Sequence, residues 1–379
     1  VRISRESFPN IDELVKLKPE SVISVTGKVV GRNEDDYNAG LRTGKIELET
    51  SVLEILNLSK TLPFEIKRAA KTNEAIRFQY KFLDHRNEEV RRAIVNRHKV
   101  IKLLRDILDE EEFLEIETPI LSAGTDEGAR EFIVPSRVHH GKFYTLPQAP
   151  QQFKQMLMVG GFERYFQIAR CFRDEDSRGD RQPEFTQMDL EMSFVSMDEI
   201  IRLNSELFVE VVQKIYGKSK WVLKPFITLT YAEAMEKYGS DKPDIRFGME
   251  FTDLKNESAG KDFVVFDSAE AVIGIAVPGA ADYTRKQLDE LTEWIKRPQI
   301  GAKGLVYVKC NTDGTYKSSV DKFFDEVTLK VWADKCGATA GDLLLVLSGE
   351  IDKTRKQMNE LRLRMGTDLG LRNPDDFKP

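Results

Sequence analysis

A chain of 379 residues exceeds one ordinary domain, and at roughly 150 residues per domain two or three are expected. A hydrophobic fraction of 41% with 32% charged residues supplies material for a core and excludes disorder as a class. With 57 Lys+Arg against 63 Asp+Glu the net charge is −6, which excludes a uniformly basic nucleic-acid coat but leaves local basic patches open. The longest uncharged stretch near the apolar maximum, Ala271–Ala281, falls well short of the roughly 20 residues a membrane helix needs, so no membrane partner is expected. No charged n-region with an apolar h-region opens the chain. Cys171, Cys310 and Cys336 lie far apart with no CxxC, which fits a reducing, cytoplasmic location and gives no cysteine zinc site. Four histidines are too few for a histidine-rich metal centre. The chain opens on Val1 and stops at Pro379 after a loop-like Asn373-Pro374-Asp375-Asp376, so a fragment at both ends is expected.

In chain order, residues 1–60 read as β-structure: Ser21–Val30 is rich in β-branched residues around Gly27, and Lys45–Ile55 begins with period-two alternation. Two or three strands cannot close a barrel, which points to part of a small β domain. Pro63 to Ala75 reads as a linker. Glu88–Glu110 predicts a strong amphipathic helix, with Val90, Ile94, Ile101, Leu104 and Leu108 on one stripe and Val100, Leu103 and Ile107 beside it, buried against more than one partner. Phe113–Leu121 follows as an extended segment whose Pro119 demands an edge strand or an interface. A helix spans Ser196–Ile215. Residues 251–348 read as a separate α/β unit: strands at Asp262–Phe266 and Ala271–Val277, a helix capped by Thr284 and Gln287, a strand at Gly304–Lys309, a helix over 319–334 and a strand at Asp342–Leu347. A last helix covers about 353–366.

The informative stretch is Arg164–Asp176, a loop with Arg178 and Arg181, then Glu184–Phe194, read as a hairpin. Pleating puts Thr186, Met188, Leu190 and Met192 on one face, and Phe185, Gln187, Asp189 and Glu191 on the other with Arg173 and Glu175. Such a floor can clamp a phosphate or carboxylate bidentately through Arg173, stack a base on Phe185 and accept from an ammonium at Asp189. Upstream, Pro150 opens a helix on which Gln151 and Lys154 share a face, with Phe153, Met156 and Leu157 on an opposite, core-facing one. A lysine near a helix start runs against the dipole and suggests an anionic partner. Plainer readings stand beside these. A mixed-charge hairpin can be structural and Lys154 a solvated lysine. His139 and His140 point to opposite faces, which speaks against a metal. Gly124–Arg130 reads as a turn, and Cys171 as a small buried hydrophobe.

The order of the pieces resembles class II aminoacyl-tRNA synthetases. Phe172-Arg-Asp-Glu, a loop holding Arg181, then Phe185 is similar to motif 2, and the helix 88–110 with the segment ending at Pro119 is similar to motif 1, the dimer-interface element. Thr125–Glu131, Pro135-Ser-Arg, Gly141–Met158 and Arg181–Asp189 together resemble the bacterial-type aspartyl enzymes. Residues 251–348, with Val277-Pro-Gly-Ala and Gly301–Lys309, resemble their inserted GAD-like domain. The resemblance implies an α+β fold. It would comprise a partial OB-type anticodon-binding β-barrel (1–62), a hinge (63–87) and an incomplete antiparallel-sheet catalytic domain (88–250). An inserted α/β domain (251–350) and a return toward the catalytic domain (351–379) would follow.

For function, the resemblance implies an aspartate–tRNA ligase: ATP-dependent formation of aspartyl-adenylate, then transfer to the 3′-end of tRNA(Asp), by a homodimer. Arg173 and Glu175 are the expected catalytic residues. Arg173, Asp174, Glu175, Gln182 and Phe185 would bind ATP, with Phe185 on adenine. Glu127, Gln151, Lys154, Arg173, Gln187 and Asp189 would bind L-aspartate, with Lys154 on its side-chain carboxylate and Glu127 and Asp189 on its amino group. Arg178 and Arg181 would meet the tRNA acceptor end and the ATP tail. Motif 3, a second aspartate-binding Arg, a His and the acidic Mg2+ ligands are absent and would lie beyond Pro379. Ala149 stands where the family often has Ser. This chain alone is therefore expected to be inactive. The alternatives are a ligase charging both tRNA(Asp) and tRNA(Asn), and a truncated non-catalytic paralogue that binds RNA or a small ligand.

Overall fold

The structure, a computed structural model, describes residues 1–4, 8, 14, 16–125, 127–177, 179, 181–217, 226–373 and 376. Two units form, Val1–Lys102 and Leu103–Pro379, and the division falls inside one long helix.

In the first unit, β1 (Val22–Gly31) and β2 (Ile46–Asn57) make an antiparallel ribbon with Val25 opposite Leu53. Gly27 is required there, because a Cβ would stand 2.1 Å from the Glu49 carbonyl oxygen. Val29, Val52 and Ile55 remain exposed, since a two-stranded ribbon has no second layer to cover them. The segment expected as a linker instead holds a 3-10 turn (Ile66–Lys71). It is followed by α1 (Glu74–Gln79) and α2 (Lys81–Asp84), which close on Phe64, Ala69 and Leu83. Buried Asp84 anchors these turns by accepting from Arg77 Nε at 2.8 Å and Lys81 Nζ at 3.0 Å. Elements of four to six residues carry too little periodicity to be read from sequence.

Helix α3 (Glu88–Glu110) forms as expected, but only Ile107 and Leu108 are buried, and Ile94 and Val95 stay exposed. Among the described residues, the part of the stripe that is buried is thus its C-terminal end.

The second unit carries a three-stranded sheet. Its strands are β3 (Leu114–Glu115), β6 (Arg164–Phe172) and β7 (Glu184–Met192); β3 runs parallel to β6, and β6 is antiparallel to β7. Beside it, β4 (Ile133–Pro135) pairs with β5 (Phe143–Thr145). The pleat sorts the side chains. Phe166, Met188, Leu190 and Met192 face Leu104, Leu108 and Phe113 together with Leu203, Leu207 and Val211 of α5 (Met197–Tyr216). Helix α5 opens with a capping box between Ser196 and Glu199. The opposite face of the same two strands is polar.

Residues 226–373 build a further core. The strands β8 (Thr252–Asp253), β9 (Ala271–Val277), β10 (Val306–Cys310), β11 (Tyr316–Ser318) and β12 (Leu343–Gly349) form an antiparallel sheet in the order β11-β10-β12-β9-β8. The short helices α7 (Lys255–Ser258) and α8 (Val264–Asp267) precede β9, and the Thr284–Gln287 capping box opens α9 (Arg285–Ile295) as expected. Ile273, Ile275, Leu343 and Leu345 pack with Leu288 and Ile295 of α9 and with Met358, Leu361 and Met365 of α11 (Ile351–Asp368). Val272, Leu344 and Val346 on the other face meet Phe266, Phe324 and Trp332, the last on α10 (Glu326–Lys335). Both faces are covered, so β9 and β12 are apolar at nearly every position.

Two expectations fail here. Asp262–Phe266 is not a strand but leads into α8, whose Phe266 stacks in the aromatic cluster. The helix expected over 319–334 starts only at Glu326, where Asp325 accepts from Thr328 N at 2.9 Å as its cap.

The chain before 251 and beyond 350 joins this core. In α6 (Tyr231–Tyr238), capped by Thr230 and Glu233, Tyr238 covers Arg362 of α11. Arg362 is fully buried between the rings of Tyr238 and Phe247, and donates to the carbonyls of Phe247, Gly248 and Met249 at 2.8 to 3.1 Å. Burial lowers its pKa to about 10, so it remains a cation at neutral pH. Asp244 accepts from Arg246 and Arg372, and the Arg246 hydrogen bonds hold its carboxyl far below the usual carboxylate range.

A Cβ on Gly366 would meet the Phe247 ring at 2.7 Å and push it from Arg362. Gly366→Ala should cost about 1–3 kcal/mol, read as a lowered denaturation midpoint. Because the Asp244 pKa is depressed on folding, its contribution is complete above about pH 4 and is lost as pH falls through the folded value. The urea-midpoint gap between the native protein and Asp244→Asn should therefore shrink steadily below about pH 4; a gap independent of pH would contradict this.

Candidate active site

The polar face of β6 and β7 is built by register. Tyr165 stands opposite Glu191, Gln167 opposite Asp189, Ala169 opposite Gln187 and Cys171 opposite Phe185. Opposed residues of an antiparallel pair share a face, so this array follows from the pleat. The ladder continues one step past β6, with Arg173 N donating to Pro183 O at 2.8 Å, and so carries Arg173 onto the same face.

Lys154 reaches this floor from α4 (Gln151–Val159). It is the buried residue of that helix, 8% exposed, whereas Met156 is 68% exposed. Lys154 therefore faces inward, and of the three apolar residues expected on the core side only Met156 is exposed, while Phe153 and Leu157 are half-buried. The lysine wins because two carboxylates wait for it. Its Nζ lies 2.8 Å from Asp189 Oδ1 and 3.3 Å from Glu191 Oε2. Burial works to lower its pKa, but the hydrogen bonds and charges of Asp189 and Glu191 outweigh burial and hold the ammonium above the ordinary lysine range.

Beneath the floor, Gln167 Oε1 accepts from Tyr165 Oη at 2.9 Å and Thr118 Oγ1 at 3.0 Å. Burial and the Asp189 charge keep the Tyr165 phenol protonated. Cys171 is fully buried and donates weakly to Gln187 Oε1 at 3.4 Å. Burial pushes its thiol up to about 11, so it is no nucleophile at neutral pH. The charges of Asp189, Arg173, Glu127 and Lys154 all act electrostatically on this thiol.

Glu127 is brought in by a loop tied at several points. Thr125 N donates to Glu131 Oε1 at 2.7 Å, and Asp174 N to Arg130 O at 2.9 Å. The buried Gln148 amide pairs with both the N–H and the C=O of Ala129, each at 2.9 Å. The Asp174 carboxylate itself is exposed, and Gln151 is half-buried at the start of α4.

A neighbouring cavity of about 410 Å³ is lined by Arg173, Glu175, Asp176, Arg181, Gln182, Phe185 and Lys242. The Arg173 guanidinium stands 5.2 Å from the Phe185 centroid. Arg178 lies outside the described residues. Among the described residues, three buried polar atoms here have no hydrogen-bond partner: Glu127 Oε1, Asp189 Oδ2 and Arg173 Nε. Two bare carboxylate oxygens and a bare guanidinium N–H are the complement of an ammonium and a carboxylate.

Sequence reading missed Gln148, Tyr165 and Gln167. Counting back by twos from Arg173 would have found Tyr165 and Gln167; Gln148 and Lys242 have no local signal.

Gln148→Ala strands both polar groups of Ala129 and should cost about 1–3 kcal/mol. Its unfolding midpoint should fall and trypsin should cut faster after Arg130; unchanged cleavage would contradict the tether.

The profile of the family described as tRNA synthetases class II (D, K and N) matches residues 73–356. An aspartate–tRNA ligase of Flavobacterium psychrophilum is 51% identical over 374 residues, covering 98% of this chain and 63% of that protein. The aspartate–tRNA ligase of Parabacteroides distasonis is 50% identical over 363 residues, 96% of this chain and 61% of its own. That of Porphyromonas gingivalis is 47% identical over 377 residues, 99% of this chain and 64% of its own. The chain thus spans a little over 60% of the length of the curated relatives it matches. On this profile match and on identity near one half along almost its whole length, the chain belongs to the class II tRNA synthetases of the D, K and N group.

Proposed function

We propose that this chain supplies the amino-acid pocket and the adenine platform of an aspartate–tRNA ligase that acts on tRNA(Asp). The observation that carries the reading is the unpaired trio beside a buried lysine. Glu127 Oε1 and Asp189 Oδ2 would receive the substrate ammonium, and Arg173 Nε its α-carboxylate. Lys154 would receive the side-chain carboxylate. Its ammonium has three N–H donors, and Asp189 and Glu191 engage two. Asparagine would bring no charge to this buried cation and would lose the charge-assisted contact. The homology supports the same substrate, since the relatives are named aspartate–tRNA ligases.

In the reaction proposed, an oxygen of the aspartate α-carboxylate attacks the α-phosphorus of ATP. The bond from that phosphorus to the bridging oxygen breaks, and its electron pair leaves with pyrophosphate. No general base is needed, so the work is orientation and charge stabilisation. Arg173, which borders both the amino-acid floor and the cavity, can hold the carboxylate and the α-phosphate together. Phe185 offers a face to adenine, and Gln182 a polar edge. Magnesium, which would offset phosphate charge, needs one or two carboxylates besides the phosphates. Glu175 and Asp176 in the cavity fit that demand. The exposed Ile94 and Val95 on α3 are consistent with a homodimer through this helix, and a cytoplasmic location accords with the cysteine usage.

The protein from the complete reading frame that encodes this chain should catalyse aspartate-dependent ATP–pyrophosphate exchange. Lys154→Met should lower kcat/KM for aspartate by about 10²-fold or more. Because the Lys154 pKa is raised, its charge persists throughout neutral pH, and KM for aspartate should be flat from about pH 6 to pH 9. Absence of exchange with a correctly folded protein would favour a non-catalytic paralogue.

A further inference from the structure

One cation in the nucleotide cavity comes from neither strand of the hairpin nor its loop. Lys242 lines the cavity with Arg173, Arg181, Glu175 and Asp176, yet belongs to the turn after α6, within the core built by residues 226–373. That turn is fixed at both ends. At its start Gly239 has φ +67°, and a Cβ there would stand 2.2 Å from the Arg355 carbonyl oxygen of α11. Ser240 Oγ accepts from Lys242 N at 3.1 Å. At its end Asp244 is clasped by Arg246 and by Arg372, and Arg246 also donates to Asn373 O at 2.7 Å. The next three carbonyls are held by the buried Arg362. The backbone under Lys242 is therefore preorganised, while its side chain is exposed and long enough to follow a ligand.

Resting on the reading above, we propose that Lys242 is a phosphate-binding residue for the β- and γ-phosphates of ATP, the part that departs as pyrophosphate. On that reading Arg173, 5.2 Å from the Phe185 centroid, serves the adenine and the α-phosphate. A triphosphate carries further charge besides the α-phosphate, and a compact ammonium brought to the same cavity by a separate element suits it. As the α-phosphorus–oxygen bond breaks, negative charge accumulates on pyrophosphate, and Lys242 offsets it. The core of residues 226–373 then contributes directly to amino-acid activation.

The test compares Lys242→Met and Lys242→Arg with the parent, in protein from the complete reading frame. Lys242→Met should raise KM for ATP and weaken pyrophosphate binding, each about tenfold or more. AMP affinity, KM for aspartate and the melting midpoint should not move, and Lys242→Arg should recover most of the loss. An unchanged KM for ATP would overturn the proposal. So would a parallel loss of AMP affinity, which marks a structural role, or a rise confined to KM for tRNA, which marks a tRNA phosphate contact. If the parent shows no aspartate-dependent exchange, the functional reading above fails. Direct ATP and pyrophosphate binding to parent and Lys242→Met would still decide the role of Lys242.

Discussion

The site depends on a buried ammonium shared between two carboxylates. Lys154 can leave water only because Asp189 and Glu191 meet it, and they can do so only because alternate residues of β7 point the same way. The opposite alternates, Met188, Leu190 and Met192, fill the core against α3 and α5. One pleat therefore builds both the core and the polar face on which the proposed recognition rests. A one-residue slip in register would put the carboxylates into the core and the methionines into the site.

Around that ion cluster the protein leaves selected valences open. Glu127 Oε1, Asp189 Oδ2 and Arg173 Nε are three of eight buried side-chain atoms without a partner among the described residues, and in the function proposed these three form the template for the amino acid. The surrounding groups are firmly tied: Gln148 to Ala129, Glu131 to Thr125, Thr118 and Tyr165 to Gln167. Such ties hold the open groups in place before a ligand arrives, which lowers the cost of binding.

Much of this was legible in the sequence because it is local. The hairpin, its two faces and the residues of its polar face follow from period two. The capping box at Thr284 and the long helix from Glu88 follow from spacing. What was not legible came from distance or brevity. Met156 was expected on the core side of α4 but is exposed, and the burial of Lys154 was not readable locally because its partners lie 35 residues or more away. The short turns around Phe64 and Asp84 have no period to read. Arg362 on α11 has no local signal for burial, and only the tertiary fold brings Tyr238 and Phe247 to sandwich it. Lys242 reaches the cavity through the same long-range packing.

In the function proposed, the open groups at Glu127, Asp189 and Arg173, with Lys154, specify an α-amino acid bearing a side-chain anion. The most direct measurement is calorimetric titration of the protein from the complete reading frame with L-aspartate and with L-asparagine. Aspartate should bind at least about 10²-fold more tightly than asparagine, and Lys154→Met should abolish the difference. Equal affinity for the two amino acids, or discrimination that survives Lys154→Met, would contradict it.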